Sequence, residues 1–258
     1  MHIVVDLGNT KSLAIMKSKI SLPLAARKAV FGAATVLVVA CSSSLTSCKK
    51  EAASEPKQEE GVRETGFMLD DTQPDAQGTN NGYFWSLYRE GGSGNITFGS
   101  GGNFAISYNN VTDIVGGKGW NPGSARTVGY NIGSLTGAYD FVGVYGWTTN
   151  PLIEYYVAEK GAITGGTSFG TVSSDGHTYN CYKFQRVNKP SIIGTATFWQ
   201  YKDNWGGAPT GQNRSVNMAN HINNWRSRGG QGFGTYNYMI FALEAFSNKS
   251  GYINATVW

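Results

Sequence analysis

Two glutamates stand alone in runs that are otherwise apolar and aromatic. Glu154 lies in residues 144–157, VYGWTTNPLIEYYV, and Glu244 in residues 238–246, YMIFALEAF. A carboxylate in such a run costs free energy unless something bonds it. Pro151 suits a strand start, where a missing N–H matters least, and the β-branched and aromatic residues after it favour strand. Alternation then puts Leu152, Glu154 and Tyr156 on one face and Ile153 and Tyr155 on the other. In the second run Tyr238, Ile240, Ala242, Glu244 and Phe246 share a face. Each glutamate has two readings: a residue satisfied by an arginine or by tyrosine hydroxyls, or a catalytic carboxylate. Two such glutamates suggest a carboxylate pair across a cleft, the arrangement that cleaves glycosidic bonds. Retention requires carboxyls about 5–5.5 Å apart, one as nucleophile and one as acid/base. Like charges that close raise one pKa, so one group holds a proton while the other attacks. Spacing along the chain does not by itself bring the two together.

The remaining acids of residues 81–258 have plainer readings. Asp140, Asp175 and Asp203 sit beside Gly, Ser or Asn and read as turn residues, and Glu90 precedes a Gly-Gly pair. Glu159 precedes Lys160-Gly161 near a strand end. Asp113 remains as a third candidate, either for the site or as a strand-end cap of backbone N–H groups. His177 falls in a turn and reads as solvated, while His221 and Trp225 read as packing residues. Trp120 reads equally as core or cleft.

The elements that must hold these residues are short strands. The chain has 258 residues with 35 glycines, 13% aromatics and only 15% charged residues, a mix that suits strands and Gly-rich turns. A net charge of +4, scattered along the chain, gives no argument for nucleic acid. Scarce charge and many Tyr and Trp suit neutral, flat-faced polar ligands, of which sugars are the obvious class. Alternating runs recur at 83–88, 95–98, 104–108, 125–130, 141–145, 153–157, 177–186, 195–201, 236–246 and 253–258. Such spacing predicts an all-β sandwich or jelly roll. Residues 216–228, VNMANHINNWRSR, instead carry a helical stripe ended by Gly229-Gly230, which predicts one helix against a sheet.

The N-terminal third reads differently. Residues 1–15 carry Asp6-Leu7-Gly8-Asn9-Thr10, a phosphate-loop-like string that nothing downstream continues, and they read as an upstream extension. Residues 16–48 read as a signal segment: a basic start, a 12-residue apolar run at 29–40, and small residues before Cys41 and Cys48. Both cysteines resemble a bacterial lipoprotein attachment site, Cys48 with the better polar tether; ordinary secretion is the other reading. Residues 49–80 are polar and charged and read as a linker. Of three cysteines this leaves Cys181 alone in the folded domain, read as a small buried hydrophobe. The expected product is exported, secreted or held on a membrane only through a lipid anchor, and monomeric.

Three sets of residues carry a specific resemblance. Residues 117–123 (GKGWNPG), Tyr145-Gly146-Trp147-Thr148 through Pro151-Leu152-Ile153-Glu154-Tyr155-Tyr156, and Pro190-Ser191-Ile192 with Thr195-Ala196-Thr197-Phe198 resemble family 11 endo-β-1,4-xylanases. The resemblance covers essentially all of 81–258. It implies a two-sheet β-jelly roll shaped like a partly closed right hand, with one helix on the outer side of the cleft sheet. It implies xylan or xylo-oligosaccharides as substrate and no metal or cofactor. Glu154 matches the nucleophile and Glu244 the acid/base. Tyr145 and Tyr156 match the tyrosines around the nucleophile, and Tyr145 would bond Glu154. Arg186, Gln200, Tyr238 and Trp147 match substrate-binding positions, and Pro190, Ser191 and Ile192 the thumb tip. Asp113 falls where the family has Asn or Asp beside the acid/base; the Asp form accompanies acidic pH optima. Tyr88 stands where a tryptophan is usual, and Phe84, Phe141 and Phe246 where tyrosines are common. A β-glucanase of similar shape and a non-catalytic, lectin-like carbohydrate binder are the competing readings.

Overall fold

The computed structural model describes residues 65–68 and 75–258. The expected leader, Cys41, Cys48 and most of the polar stretch lie outside the described residues. Strands β1 (Thr65–Met68) and β2 (Asp75–Asn80) fall within the stretch that composition reads as linker. They pair with β4 (Ser93–Phe98) and β3 (Tyr83–Glu90), so β pairing begins upstream of Asn81. Then follow β5 (Asn103–Trp120), β6 (Thr127–Gly137), β7 (Phe141–Thr149), β8 (Ile153–Gly161), β9 (Thr167–Ser174), β10 (His177–Lys189), β11 (Ala196–Asn204), β12 (Asn213–Asn217), helix α1 (Met218–Asn224) and β13 (Thr235–Val257).

The two layers of the expected jelly roll are halves of one continuous sheet. The order is β1-β4-β5-β13-β7-β8-β11-β10-β9, with β12 on β6, β6 on β13, and β2 on β3, which in turn pairs β5. Strand β13 serves both layers. Its first half pairs β7 from Thr235 to Glu244, and its second half pairs β6 from Gly251 to Val257. Between them the register against β5 slips at Phe246/Lys249 and again at Lys249/Gly251. Ser247 and Asn248 there take positive φ, 66° and 61°, a conformation Asn tolerates better than most residues. Asp140 fastens the bend: one carboxylate oxygen accepts the Phe246 N–H at 3.0 Å, and the other pairs with Lys249.

Alternation sorts the residues of β7, β8 and β13 between two apolar clusters. Val142, Val144, Ile153, Tyr155, Val157 and Phe241 enter the main core between the layers. Phe141, Tyr145, Trp147, Tyr156, Tyr238 and Ile240 form a second cluster on the opposite face. Helix α1 lies on the core side, where Trp225 stacks on Tyr201 at 5.7 Å and meets Tyr155 at 5.4 Å. That is the side away from Glu154, as expected. The helix is shorter than its sequence stripe. Val216 and Asn217 finish β12, Asn217 caps α1 by accepting the Ala219 N–H at 3.1 Å, and 225–229 continue as a π-turn.

Two polar residues depart from their sequence readings, and a third, Glu159, lies near its strand end as expected but is more buried than that reading implies. Asp203 is not in a turn: it is fully buried on β11 and accepts from His221 Nδ1 at 2.8 Å. Glu159 is likewise buried, its carboxylate receiving the Tyr179 hydroxyl at 2.6 Å and the Tyr130 hydroxyl on its other oxygen. His177 is not a solvated turn residue; it opens β10, stacks on Trp205 at 3.6 Å and contacts Arg214. Cys181 is buried and reduced, accepting from Asn224 at 3.3 Å, and burial pushes its thiol pKa up.

Candidate active site

Glu154 is held by its neighbours in the sheet. On β8 it lies opposite Trp147 of β7 and, in parallel register, Gln200 of β11. Tyr145 donates to Glu154 Oε1 at 2.8 Å, and Gln200 Nε2 donates to Oε2 at 2.5 Å. Trp147 Nε1 donates to the Tyr145 hydroxyl at 2.7 Å, so that hydroxyl must spend its own proton on Glu154. The turn that feeds β8 is fixed by Asn150 at φ 52° and by the Thr148 hydroxyl, which donates to Pro151 O at 2.9 Å. Burial raises the pKa of Glu154; bonds from Gln200, Tyr145 and Tyr156 and the charge of Arg186 pull it back.

Glu244 approaches from β13, between Val115 of β5 and Phe141 of β7. Along β7 its partner is six residues from that of Glu154 (147 − 141). In a flat sheet that offset would be about 20 Å. Both glutamates nonetheless lie on the face of the second aromatic cluster, and the charge of Glu154 is felt at Glu244. Glu244 is pushed well above the ordinary carboxylate range by burial, then by Asp113 and Glu154. Asp113 is pushed up to about 7, by burial first and then by Glu154. Tyr156 feels all three acids. Asp113 Oδ1 and Glu244 Oε2 are buried acceptors with no donor. Two such oxygens on neighbouring acids are satisfied if a proton lies between the groups.

The other sequence-predicted residues gather on the same face. Arg186 lies opposite Phe198, and its charge lowers the pKa of both Glu154 and Asp113. Tyr238 is 8% exposed, with its ring 6.1 Å from Tyr145 and 5.3 Å from Phe84. Tyr88 pairs with Val115, and burial with Glu90 and Asp113 raises its hydroxyl to about 12. Pro190 and Ser191 lie in the loop between β10 and β11. The Ser191 hydroxyl donates to Gly194 O at 2.6 Å and accepts from the Ile193 N–H at 3.2 Å, and Ile192 packs against the cleft cluster. Trp120 lies at the sheet rim, 6.0 Å from Tyr83.

Sequence reasoning missed Lys202. It is 4% exposed on β11, two residues from Gln200, and so on the face of Glu154. Its Nζ donates to Thr164 O at 3.1 Å, and its charge lowers the pKa of Glu244. The signal was present in alternation from Gln200, but an isolated lysine beside Asp203-Asn204 resembles a strand end.

Residues 80–256 match the family described as glycosyl hydrolases family 11. The chain is similar to an ethylene-inducing xylanase 1 of Botryotinia fuckeliana, 44% identical over 191 residues, covering 71% of this chain and 66% of that protein. It is similar also to an endo-1,4-beta-xylanase B of Phanerodontia chrysosporium, 41% identical over 191 residues, with 71% and 64% covered. An ethylene-inducing xylanase of Hypocrea rufa is 43% identical over 190 residues, with 69% and 82% covered. The chain thus spans just under two thirds of the length of the first two. With a family match across nearly every described strand, and both strand glutamates on one aromatic face within it, this chain belongs to glycosyl hydrolase family 11.

Proposed function

We propose that this chain is an endo-1,4-β-xylanase acting by double displacement with retention. The observation that carries the reading is the asymmetry of the acids: burial and then the neighbouring acids raise Glu244 and Asp113, whereas Glu154, raised by burial, is pulled back toward its ionised form by bonds from Gln200, Tyr145 and Tyr156. A nucleophile must be ionised and an acid protonated, and this arrangement favours that division. Glu154 attacks the anomeric carbon as Glu244 protonates the departing glycosidic oxygen. Glu244, now a base, removes a proton from water, which attacks the xylosyl-enzyme and releases Glu154. Tyr145 and Gln200 hold the attacking carboxylate. Arg186, Trp147, Tyr88, Tyr156, Tyr238 and the 190–192 loop line the sugar path. Named xylanases among the relatives support xylan as the substrate. The expected leader further supports export of the protein.

Reducing-sugar release from xylan and from carboxymethyl-cellulose tests the reading, with product anomers followed by NMR. Release from xylan with the β-anomer formed first is expected, and Glu154→Gln should lose about a thousandfold or more of it. Xylan binding without hydrolysis by the folded protein would leave a carbohydrate-binding module instead. First formation of the α-anomer would reject retention.

A further inference from the structure

A cavity of about 490 Å³ opens at the sheet rim where β5 ends, lined by Thr79, Phe84, Trp120, Asn121, Pro122 and Arg126 among others. Arg126 is half-buried there, with its guanidinium 4.1 Å from the Trp120 ring centroid and its Nε donating to Ser124 Oγ at 2.8 Å. Among the described residues no carboxylate pairs with it and no acceptor takes its Nη groups. The aromatic plate and the Ser124 bond fix the plane of the guanidinium and leave the Nη edge open. A fixed planar fork of this kind matches a carboxylate with two parallel hydrogen bonds and little further loss of side-chain freedom. A neutral sugar offers no charge to satisfy it.

The cavity shares a wall with the cleft. Phe84 lines it and also lies 5.3 Å from Tyr238, which is 6.1 Å from Tyr145, the residue that bonds Glu154. A polysaccharide lying along the cleft as far as Phe84 reaches the mouth of the cavity whose lining includes Arg126. We propose that this cavity binds the carboxylate of a uronic acid branch on the xylan chain occupying the cleft, with Arg126 as the recognising residue. This rests on the xylanase reading.

The test uses the full chain with Arg126→Gln and Arg126→Lys beside it. The substrates are linear xylo-oligosaccharides and the same oligosaccharides carrying a glucuronic acid branch. The ratio of kcat/KM, branched over linear, should fall about tenfold in Arg126→Gln, in keeping with loss of a hydrogen-bonded charge. It should fall less in Arg126→Lys, which keeps the charge without the fork, and the wild-type ratio should drop with added salt. An unchanged ratio in Arg126→Gln while linear substrate is still cleaved overturns the assignment. A second measurement needs no turnover. The NMR signal of the Arg126 Nε–H should move with methyl glucuronoside and not with methyl xyloside; an equal response to both, or none, overturns it too. Failure of the wild type to cleave any xylan would count against the xylanase reading, and the glucuronoside titration would then decide the cavity by itself.

Discussion

Tyr145 bonds the Glu154 carboxylate with one hydroxyl. It accepts from Trp147 and donates to Glu154, so a ring that looks like packing is a polarised donor. Tyr145→Phe removes that donor and leaves the Trp147 N–H without its acceptor. A hydrogen bond to a charged group contributes about 1.5–3 kcal/mol, so kcat/KM on xylan should fall roughly tenfold to a hundredfold. The bond favours the ionised carboxylate, so its loss raises the pKa of Glu154. On the proposed mechanism the acidic limb of the pH–rate profile reports ionisation of Glu154, and it should move to higher pH. A drop in rate with the limb unmoved would mean that Tyr145 only packs. Asp113 acts on the other limb. Raised to about 7, it must keep its proton if it is to donate toward Glu244, so on the proposed reading the productive pair holds two protons. Activity is then lost as pH rises through the first ionisation of the pair, and the optimum lies on the acid side of about 7. Asn carries donor hydrogens at every pH, so Asp113→Asn should shift the optimum upward, and a profile that stays in place would exclude the shared-proton account.

At the scale of elements, the helix is joined to the sheet by polar contacts as well as aromatic ones. His221 of α1 and Asp203 of β11 are both fully buried, and their partnered atoms are 2.8 Å apart. Removing one member of a buried pair strands the other, at about 3–5 kcal/mol. His221→Leu should cost that much in urea denaturation, and adding Asp203→Leu should recover a large part of it. Equal and additive losses would show that the two residues do not act as a pair. Here the sequence was legible only in part. The strand alternation around Glu154 and Glu244 put them on the correct face, since a period of two needs no knowledge of neighbours. Asp203 was misread as a turn residue, and Glu159, correctly placed near a strand end, gave no sign of its burial, because their donors arrive from elsewhere in the chain: His221 from a helix, Tyr130 and Tyr179 from β6 and β10. A lone acid next to Asn has the local signature of a turn whether or not such partners exist. The parallel pairing of β8 with β11, which delivers Gln200 to Glu154, leaves no local trace either. The bend of β13 had a trace in Ser247-Asn248, but nothing in those residues says that one strand will serve two layers.

For the molecule as a whole, the site opposes stability. Glu154, Glu244, Asp113 and Glu159 all have raised pKa values, with burial the first cause in each. For a carboxylate raised in the folded state, the stabilising contribution is complete below its unfolded pKa, about 4, and is lost as pH rises through the folded value. For Asp113 that window runs from about 4 to about 7, so between these limits the folded state loses stability with rising pH as the buried carboxyl is made to ionise. Unlike proteins whose acids are held ionised by salt bridges, this domain should gain thermal stability when brought from pH 8 toward pH 5. Asp113→Asn removes one of the groups responsible. At pH 8 it should be stabilising by about 1 kcal/mol or more, or roughly 2–4 °C in Tm for a domain of this size, with the gain shrinking toward pH 4, where aspartate is protonated in the fold. The melting curve across pH separates this from a packing effect. An advantage of constant size at every pH would mean that the substitution acts through shape, whereas an advantage that grows with pH ties the cost to ionisation of the same buried carboxyl that the proposed reaction keeps protonated.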